Sequence, residues 1–457
     1  MKRFAIILAA GKGTRMKSKV NKMLHPVMGQ PMVNYSVEVA TQAGAEEIIS
    51  ILGVDAEMVQ DYLGDRSQFA YQEEQLGTAH AVMQAADLLE GKEGTTLVIC
   101  GDTPLISNET IENLYNYHEQ EGAKATILTA IADNPFSYGR VLRSEEGTVT
   151  KIVEQKDATE EEKQVREINT GTYCFDNKAL FEALKQVDNN NAQGEYYLPD
   201  VIEILNAQDE KVSAYSMTDM ADSLGVNDRM ALAKANQLMQ QRINQQHMLA
   251  GVTLIDPDNT YIEAGVEIGP DTTIEPGVYL KGQTTIGSNV TIGMGSVITD
   301  SQIADDVTII SSNITEATVG QHSDIGPNSR LRKGAILEDN VHIGNYVEVK
   351  NATLKSGVKA GHHAYIGDAT IGERVNVSCG VIFANYDGIN KHHSVIEADV
   401  FIGSNVTIVS PVTVQAGAFL AAGSTINQDV AADALAIARS RQENKADYVK
   451  NLPASKK

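Results

Sequence analysis

A chain of 457 residues exceeds what one hydrophobic core usually serves, so two domains of ordinary size are expected. With 60 Asp and Glu against 37 Lys and Arg, the formal charge is −23 and the pI near 4.8, which argues against nucleic acid as a main partner because polyanion binding depends on accumulated positive charge. Three cysteines, Cys100, Cys174 and Cys379, lack metal-type spacing and suit a reducing cytoplasm; no apolar run approaches the roughly 20 residues that span a bilayer, so a soluble protein without a membrane partner is expected.

The first element is the apolar run 4–10, FAIILAA. It is only seven residues long, and Lys12 and Arg15 follow where a leader's uncharged cleavage region would stand, so it reads as a buried strand. Seven basic residues, Lys2, Arg3, Lys12, Arg15, Lys17, Lys19 and Lys22, precede the first acid, Glu38, leaving 30 against 60 over the remainder. Such a positive island on a negative body points to a small anionic ligand. Up to about residue 227, short β-type runs alternate with amphipathic segments, the pattern of an α/β domain around a mostly parallel sheet.

Sheets of that kind bind ligands at the carboxyl ends of their strands, where two polar loops fall: GKGTRM after the first strand and GDTPL after TLVIC. GKGTRM lacks the third glycine of a dinucleotide fingerprint and the closing Lys-Ser/Thr of a Walker loop, so a tight turn is the plain alternative. The charge island favours a phosphate cradle, in which glycine amides approach an anion and Arg15 and Lys22 neutralise a triphosphate. Asp102, just past TLVIC, is placed to reach the cleft; a solvated strand end is its alternative.

Residues 228–250 contain neither Gly nor Pro and are rich in helix formers, which predicts one helix joining two halves. Beyond Gly251 aliphatic residues recur every six positions, from Ile262 through Ile298, slipping by one at Ile303, resuming through Val349 and closing from Ile396 to Ile426. A period of six belongs to neither a helix nor an ordinary strand but to a hexapeptide β-helix with one inward aliphatic side chain per flat face. Residues 383–395, FANYDGINKHHSV, break the rhythm, and long departures from a solenoid tend to be functional loops.

Arg332 and Lys350 stand 18 residues apart, one full coil, so they should lie one above the other about 4.8 Å apart. Like charges so placed repel, which a bound phosphate would relieve; the alternative is a pair splayed into solvent. The histidine pairs His362/His363 and His392/His393 are adjacent in extended chain and should point to opposite sides, against a shared metal ion. Past residue 430 the hexads stop and the chain reads as a helical, basic tail.

The ordered set LAAGKGTRM with Lys22 downstream, QLGTAHA, GDTPL, YGRV, IVEQKDA, INTG and GVNDR resembles the sugar-nucleotide pyrophosphorylase family. Followed by hexads carrying RLRKGA, VEVKNA, AGHHAYIGDA and NYDGINKH, the chain is similar along nearly its whole length to bifunctional members that are both N-acetylglucosamine-1-phosphate uridyltransferase and glucosamine-1-phosphate acetyltransferase. The resemblance implies a Rossmann-like nucleotidyltransferase domain over 1–227, a helical linker over 228–250, and a left-handed parallel β-helix acetyltransferase domain with its tail over 251–457.

By that likeness Leu8, Ala9, Ala10, Gly11, Gln72, Gly77 and Thr78 contact uridine, Gly139, Glu154 and Asn169 hold the N-acetylated sugar, Arg15 and Lys22 serve the phosphates of UTP, and Asp102 with Asn227 shares Mg2+. In the second half it makes His362 the general base with Glu348 as orienting partner, and Arg332, Lys350, Tyr365, Asn376, Asn385, Tyr386 and Lys391 contacts to sugar or phosphate. Ser404, Ala422 and Arg439 would line the acetyl-CoA groove, with the tail delivering Arg439 to a neighbouring subunit of a homotrimer. Ser378 and Cys379 stand where the family usually has Gly and Ala; Cys379 is a thiol near the cofactor or a small buried hydrophobe. The competing reading is a monofunctional sugar-1-phosphate nucleotidyltransferase whose β-helix serves assembly only.

Overall fold

The computed structural model describes residues 2–53 and 55–453 and divides the chain into two compact units, Met1–Gln240 and Gln241–Lys457. Unit one is built on a nine-stranded sheet: β1 (Arg3–Ala9), β2 (Glu47–Leu52), β3 (Gln68–Tyr71), β4 (Thr95–Cys100), β5 (Ala125–Ile131), β6 (Gly139–Arg143), β7 (Val149–Val153), β8 (Glu167–Asp176) and β9 (Val212–Ser216). Their order is β9-β5-β8-β4-β1-β2-β3, with β6 and β7 forming a hairpin attached to β8. β1 is parallel to both β2 and β4, whereas β8 runs antiparallel between β4 and β5.

The opening run becomes the central strand because both its faces are apolar. Phe4 and Ile6 enter one core with Val98, Ile127 and Phe175, while Ala5, Ile7 and Ala9 enter the other with Leu97, Ile99 and Leu128. Each of the larger side chains, such as Phe4, Ile6 and Ile7, contributes about 1.5–3 kcal/mol by leaving water. The register also sets the GKGTRM and GDTPL loops side by side, since Gly101 N–H donates to Leu8 C=O at 2.9 Å. Residues free of Gly and Pro past Asp228 form one helix, Arg229–Leu249.

Unit two is a parallel β-helix mostly of two- and three-residue strands paired with the third strand onward, interrupted by two thirteen-residue strands, His342–Leu354 and Lys359–Ile371, that pair with each other. Thr273 and Ile274 lie beside Thr291 and Ile292, 18 residues on, and the aliphatic residues Ile274, Leu280, Ile292 and Ile298 are fully buried. Where the hexads slip, coils shorten without breaking register: Thr308 pairs with Asp324, 16 residues on, and Thr318 with Ile336, 18 on. Residues 383–395 lengthen one coil instead, so Thr370 pairs with Val395 and Asn376 with Phe401, each 25 residues on.

Glycine is required where coils touch; a Cβ on Gly287 would stand 2.7 Å from the backbone of Ala304 and Asp305. The tail departs from the helix expected of it. Leu435–Ala436 extends the β-helix beside Phe419 and Leu420, and only a short 3-10 turn, Tyr448–Asn451, follows among the described residues. Residues 439–453 are exposed, so no apolar face packs to stabilise a helix that is marginal in isolation.

The inward hexad position carries the stability of unit two. Ile292→Ala should destabilise it by about 2–5 kcal/mol, read as a lower unfolding midpoint by circular dichroism; an unchanged midpoint would contradict a close-packed stack.

Candidate functional sites

In unit one the GKGTRM loop leaves β1 through Gly13, whose positive φ of 57° is needed for the turn and whose missing Cβ would come within 2.6 Å of Lys22 Cβ. Lys22 is thereby folded back onto the strand ends. Its ammonium donates to the Asp102 carboxylate and, at 2.7 Å, to Asn227 Oδ1, which also accepts from the Arg15 guanidinium at 2.9 Å. Asn227 arrives there because Val226 N–H donates to Asp102 C=O at 2.8 Å, while Arg229 Nε holds Met16 C=O at 3.2 Å.

Arg15, Lys22, Asp102 and Asn227 thus form one cluster from three separate segments. Asp102 and Asn227 aim oxygens at a single cation, the Lys22 ammonium, which is the donor chemistry Mg2+ takes when phosphates complete its shell. Among the described residues no group of three or more His, Cys, Asp or Glu would cage a metal alone. Cys100 adjoins the site, but burial pushes its thiol up to about 12, so it stays protonated at neutral pH and offers no nucleophile.

Leu8, Ala9, Ala10 and Gly11 line the end of β1 beside this cluster in sequence. Gln72 is held by Leu52 C=O and donates to Gly77 C=O at 3.0 Å; Gly77 has φ 116° and packs so tightly that a Cβ would lie 2.7 Å from Tyr196 N. Thr78 Oγ1 accepts from Leu198 N–H at 3.0 Å. Gly139 faces Asn169 across β6 and β8, and a Cβ there would sit 3.2 Å from Glu154 Oε1, so glycine keeps a gap between these two polar groups. Asn169 donates to the Tyr173 hydroxyl at 2.7 Å, and burial, then Asp157, raises the Glu154 carboxyl.

In unit two, Arg330 pairs with Glu348 and Leu331 with Val349, which sets Arg332 over Lys350 in register. Both cations have carboxylate partners: Arg332 donates to Glu348 Oε1 at 2.8 Å, and Lys350 Nζ lies 3.7 Å from Asp368 Oδ2. The repulsive partner of Lys350 is Lys391, brought back by the interrupting loop, where Tyr386 bridges Lys391; the Lys350 ammonium holds the Lys391 amine below its usual value. Asn385 is buried and donates to Asp368, and Tyr365 pairs with Glu348 on the coil before.

His362 is exposed, and its Nδ1 is 3.0 Å from Asn345 Oδ1. The 17-residue coil sets Asn345 beside His362, whereas Glu348, expected as its orienting partner, lies beside Tyr365 and accepts from Arg332. In a neutral ring, an Nδ1–H donated to Asn345 Oδ1 leaves the lone pair on Nε2. His363 has φ 39°, so strict alternation of extended chain does not hold at this pair.

Arg439 donates to Ala422 C=O of its own chain at 2.7 Å, and Ser404 C=O accepts from Gly423 N–H at 2.8 Å, which places these three on neighbouring coils. Asn376 donates to Ser378 Oγ at 3.0 Å and the Tyr386 hydroxyl to Gly388 C=O at 2.6 Å; among the described residues neither is hydrogen-bonded to His362. Cys379 is a free, exposed thiol rather than a buried hydrophobe. Asn345 and Asp368 are the site residues that the sequence pattern does not single out. No helix among the described residues is long and apolar enough to cross a membrane.

Residues 4–251 match the family model for nucleotidyl transferase, 257–354 that for the GMPPB C-terminal domain, and 393–428 that for the bacterial transferase hexapeptide (six repeats). The bifunctional protein GlmU of Enterococcus faecalis is 57% identical over 454 residues, covering 99% of each chain. The proteins of that name from Listeria welshimeri and Geobacillus sp. strain WCH70 are 56% and 55% identical, over 99% and 100% of this chain and 99% of each relative.

Glu154 also lines a cavity of about 650 Å³ with Asp157, Asp188, Tyr197, Asp200 and Glu203. Burial first, then Glu203 and the other acids, raises Asp200 from 3.8 to about 6. The folded protein therefore holds a proton here that the unfolded chain releases, and stability from this group is lost as pH rises from about 4 through 6. Asp200→Asn should raise the unfolding free energy of unit one at pH 7.5 by about 1 kcal/mol, discounted for partial exposure and the helix N-terminus, and converge with wild type near pH 4. Equal melting temperatures at pH 7.5 would show that the crowding of acids costs nothing.

Proposed function

The chain belongs to the bifunctional GlmU family, and from this membership we infer how its two sites divide the work. The enzyme is a uridyltransferase and an acetyltransferase of UDP-N-acetylglucosamine synthesis. Acetyl transfer to glucosamine-1-phosphate precedes uridylyl transfer in this assignment. The nucleotidyltransferase domain takes residues 1–227, the linker 228–250 and the acetyltransferase domain 251–457.

In the first site, the residue 8–11 strand end with Gln72, Gly77 and Thr78 holds uridine, and Gly139, Glu154 and Asn169 hold the N-acetyl sugar. A phosphate oxygen of N-acetylglucosamine-1-phosphate forms a bond to the α-phosphorus of UTP in line with the bond that breaks to pyrophosphate. Arg15 and Lys22 neutralise the phosphates, and no protein nucleophile is required because positioning and charge carry most such transfers. Asp102 and Asn227 would hold Mg2+, which supplies further charge neutralisation when bound.

In the second site, Arg332, Lys350 and Lys391 grip the phosphate of glucosamine-1-phosphate, with Tyr365, Asn376, Asn385 and Tyr386 around the sugar. The sugar amine attacks the acetyl thioester carbon, His362 Nε2 takes the amine proton, and the C–S bond to CoA breaks. Ser404, Ala422 and Arg439 line the acetyl-CoA groove, and Cys379 forms no acyl intermediate. The observation that carries this reading over an assembly-only β-helix is the Arg332, Glu348, Lys350, Asp368 and Lys391 cluster, which assembly does not need.

A cytoplasmic homotrimer fits the same reading. The outward column of Phe401, Phe419 and Leu435 leaves apolar surface exposed, with the two phenyl rings stacked at 4.7 Å, and supports contact with further copies.

Two substitutions test the assignments. Asp102→Ala should cut pyrophosphate release by about 100-fold or more while acetylation persists; loss of both activities together would refute separate sites. Asn345→Ala should slow acetyl transfer about 10- to 100-fold with little change in KM for glucosamine-1-phosphate, by freeing the His362 tautomer; full turnover would remove Asn345 from the machinery.

A further inference from the structure

Asp368 occupies a β-helix corner with φ 50°, a conformation that Asp and Asn tolerate better than most residues. Asn351, 17 residues earlier, has φ 46° and donates to Asp368 Oδ1 at 2.6 Å, while Asn385, 17 residues later, donates to Oδ2. A ladder of three asparagines would meet the backbone need of this corner. The middle position is instead a carboxylate only 6% exposed, and an ion so buried needs a charged partner. That partner is Lys350, 3.7 Å away.

Gly367, just before Asp368, keeps the adjoining space open. A Cβ there would lie 2.8 Å from Asn385 Nδ2 and would collide with the Tyr365 hydroxyl. The carboxylate therefore lies among four groups of the second site: Lys350, Asn385, Tyr365 and, across the lysine pair, Lys391.

We propose that Asp368 is the positioning residue of the acetyl-transfer site, fixing Lys350 and Asn385 and supplying the negative charge that offsets the close approach of Lys350 and Lys391 where they grip the sugar phosphate. The proposal rests on the assignment of those lysines to glucosamine-1-phosphate. The groups facing Lys391 are Lys350, Tyr365 and Asp368, with the Arg332–Glu348 pair on the preceding coil. Lys350 lowers the Lys391 amine and Asp368 opposes that effect, so removing the carboxylate charge lets the Lys391 amine lose its proton at lower pH.

Asp368→Asn keeps the volume and the tolerated φ and removes only the charge. In the full-length protein it should raise KM for glucosamine-1-phosphate about tenfold with kcat within about threefold, and move the alkaline limb of kcat/KM to lower pH. Pyrophosphate release should be unchanged. An unchanged KM and alkaline limb, or a loss confined to kcat, overturns the proposal. Should that variant fold poorly, Asn351→Gly removes the amide donor while keeping the charge and the positive φ; KM about threefold higher supports the positioning role, and an unchanged KM overturns it. Wild-type protein that fails to acetylate glucosamine-1-phosphate would refute the assignment of the site itself, a result distinct from either variant's.

Discussion

A cation held against a carboxylate inside a chain of net charge −23 is the interaction on which both sites depend. Lys22 meets Asp102, Arg332 meets Glu348 and Lys350 meets Asp368. Each pair lets positive charge be stationed where a phosphate will bind, without leaving a bare cation in a partly desolvated place before it arrives. The Lys22 and Lys350 side chains are 8% and 18% exposed, so the partner matters most at these two. An incoming phosphate then shares the cation with a carboxylate already in place, which limits affinity but preserves geometry. The overall negative field repels free anionic substrates, so local clusters of this kind also determine where such substrates accumulate.

The β-helix serves chemistry through its register. Because a side chain lies over its counterpart one coil away, residues 16 to 25 positions apart in sequence become neighbours with fixed spacing. Coil length then decides partnership. At 17 residues, His362 receives Asn345; at 18, Arg332 stands over Lys350. The lengthened coil adds a loop that returns Lys391 and Asn385 toward the same stack, so one irregularity supplies the groups that a regular solenoid lacks.

The periodic parts of this architecture were legible in the sequence because they follow from geometry alone. A period of six, inward aliphatics and a break at 383–395 each map directly onto coils, core and loop. Motif resemblance reached the Lys22, Asp102 and Asn227 cluster, which no spacing rule would join across some 200 residues. Three features were hidden. The Asn345 contact depends on a one-residue change of coil length, the tail's strand depends on an edge already made by Phe419 and Leu420, and Asp368 matters through the position of one ammonium group.

The corner at residue 368 shows how a structural requirement leaves room for function. Positive φ restricts the choice there to a few residue types, and Asp and Asn satisfy it about equally. What separates them is one unit of charge, felt only because burial weakens solvent screening and Lys350 is near. At exposed corners such as Asn289 and Asp306, which share the conformation, solvent and salt dilute that difference. The same fold element therefore carries an indifferent turn residue on most coils and a charge with consequences on one, and the distinction lies in which side chains the neighbouring coils present to it.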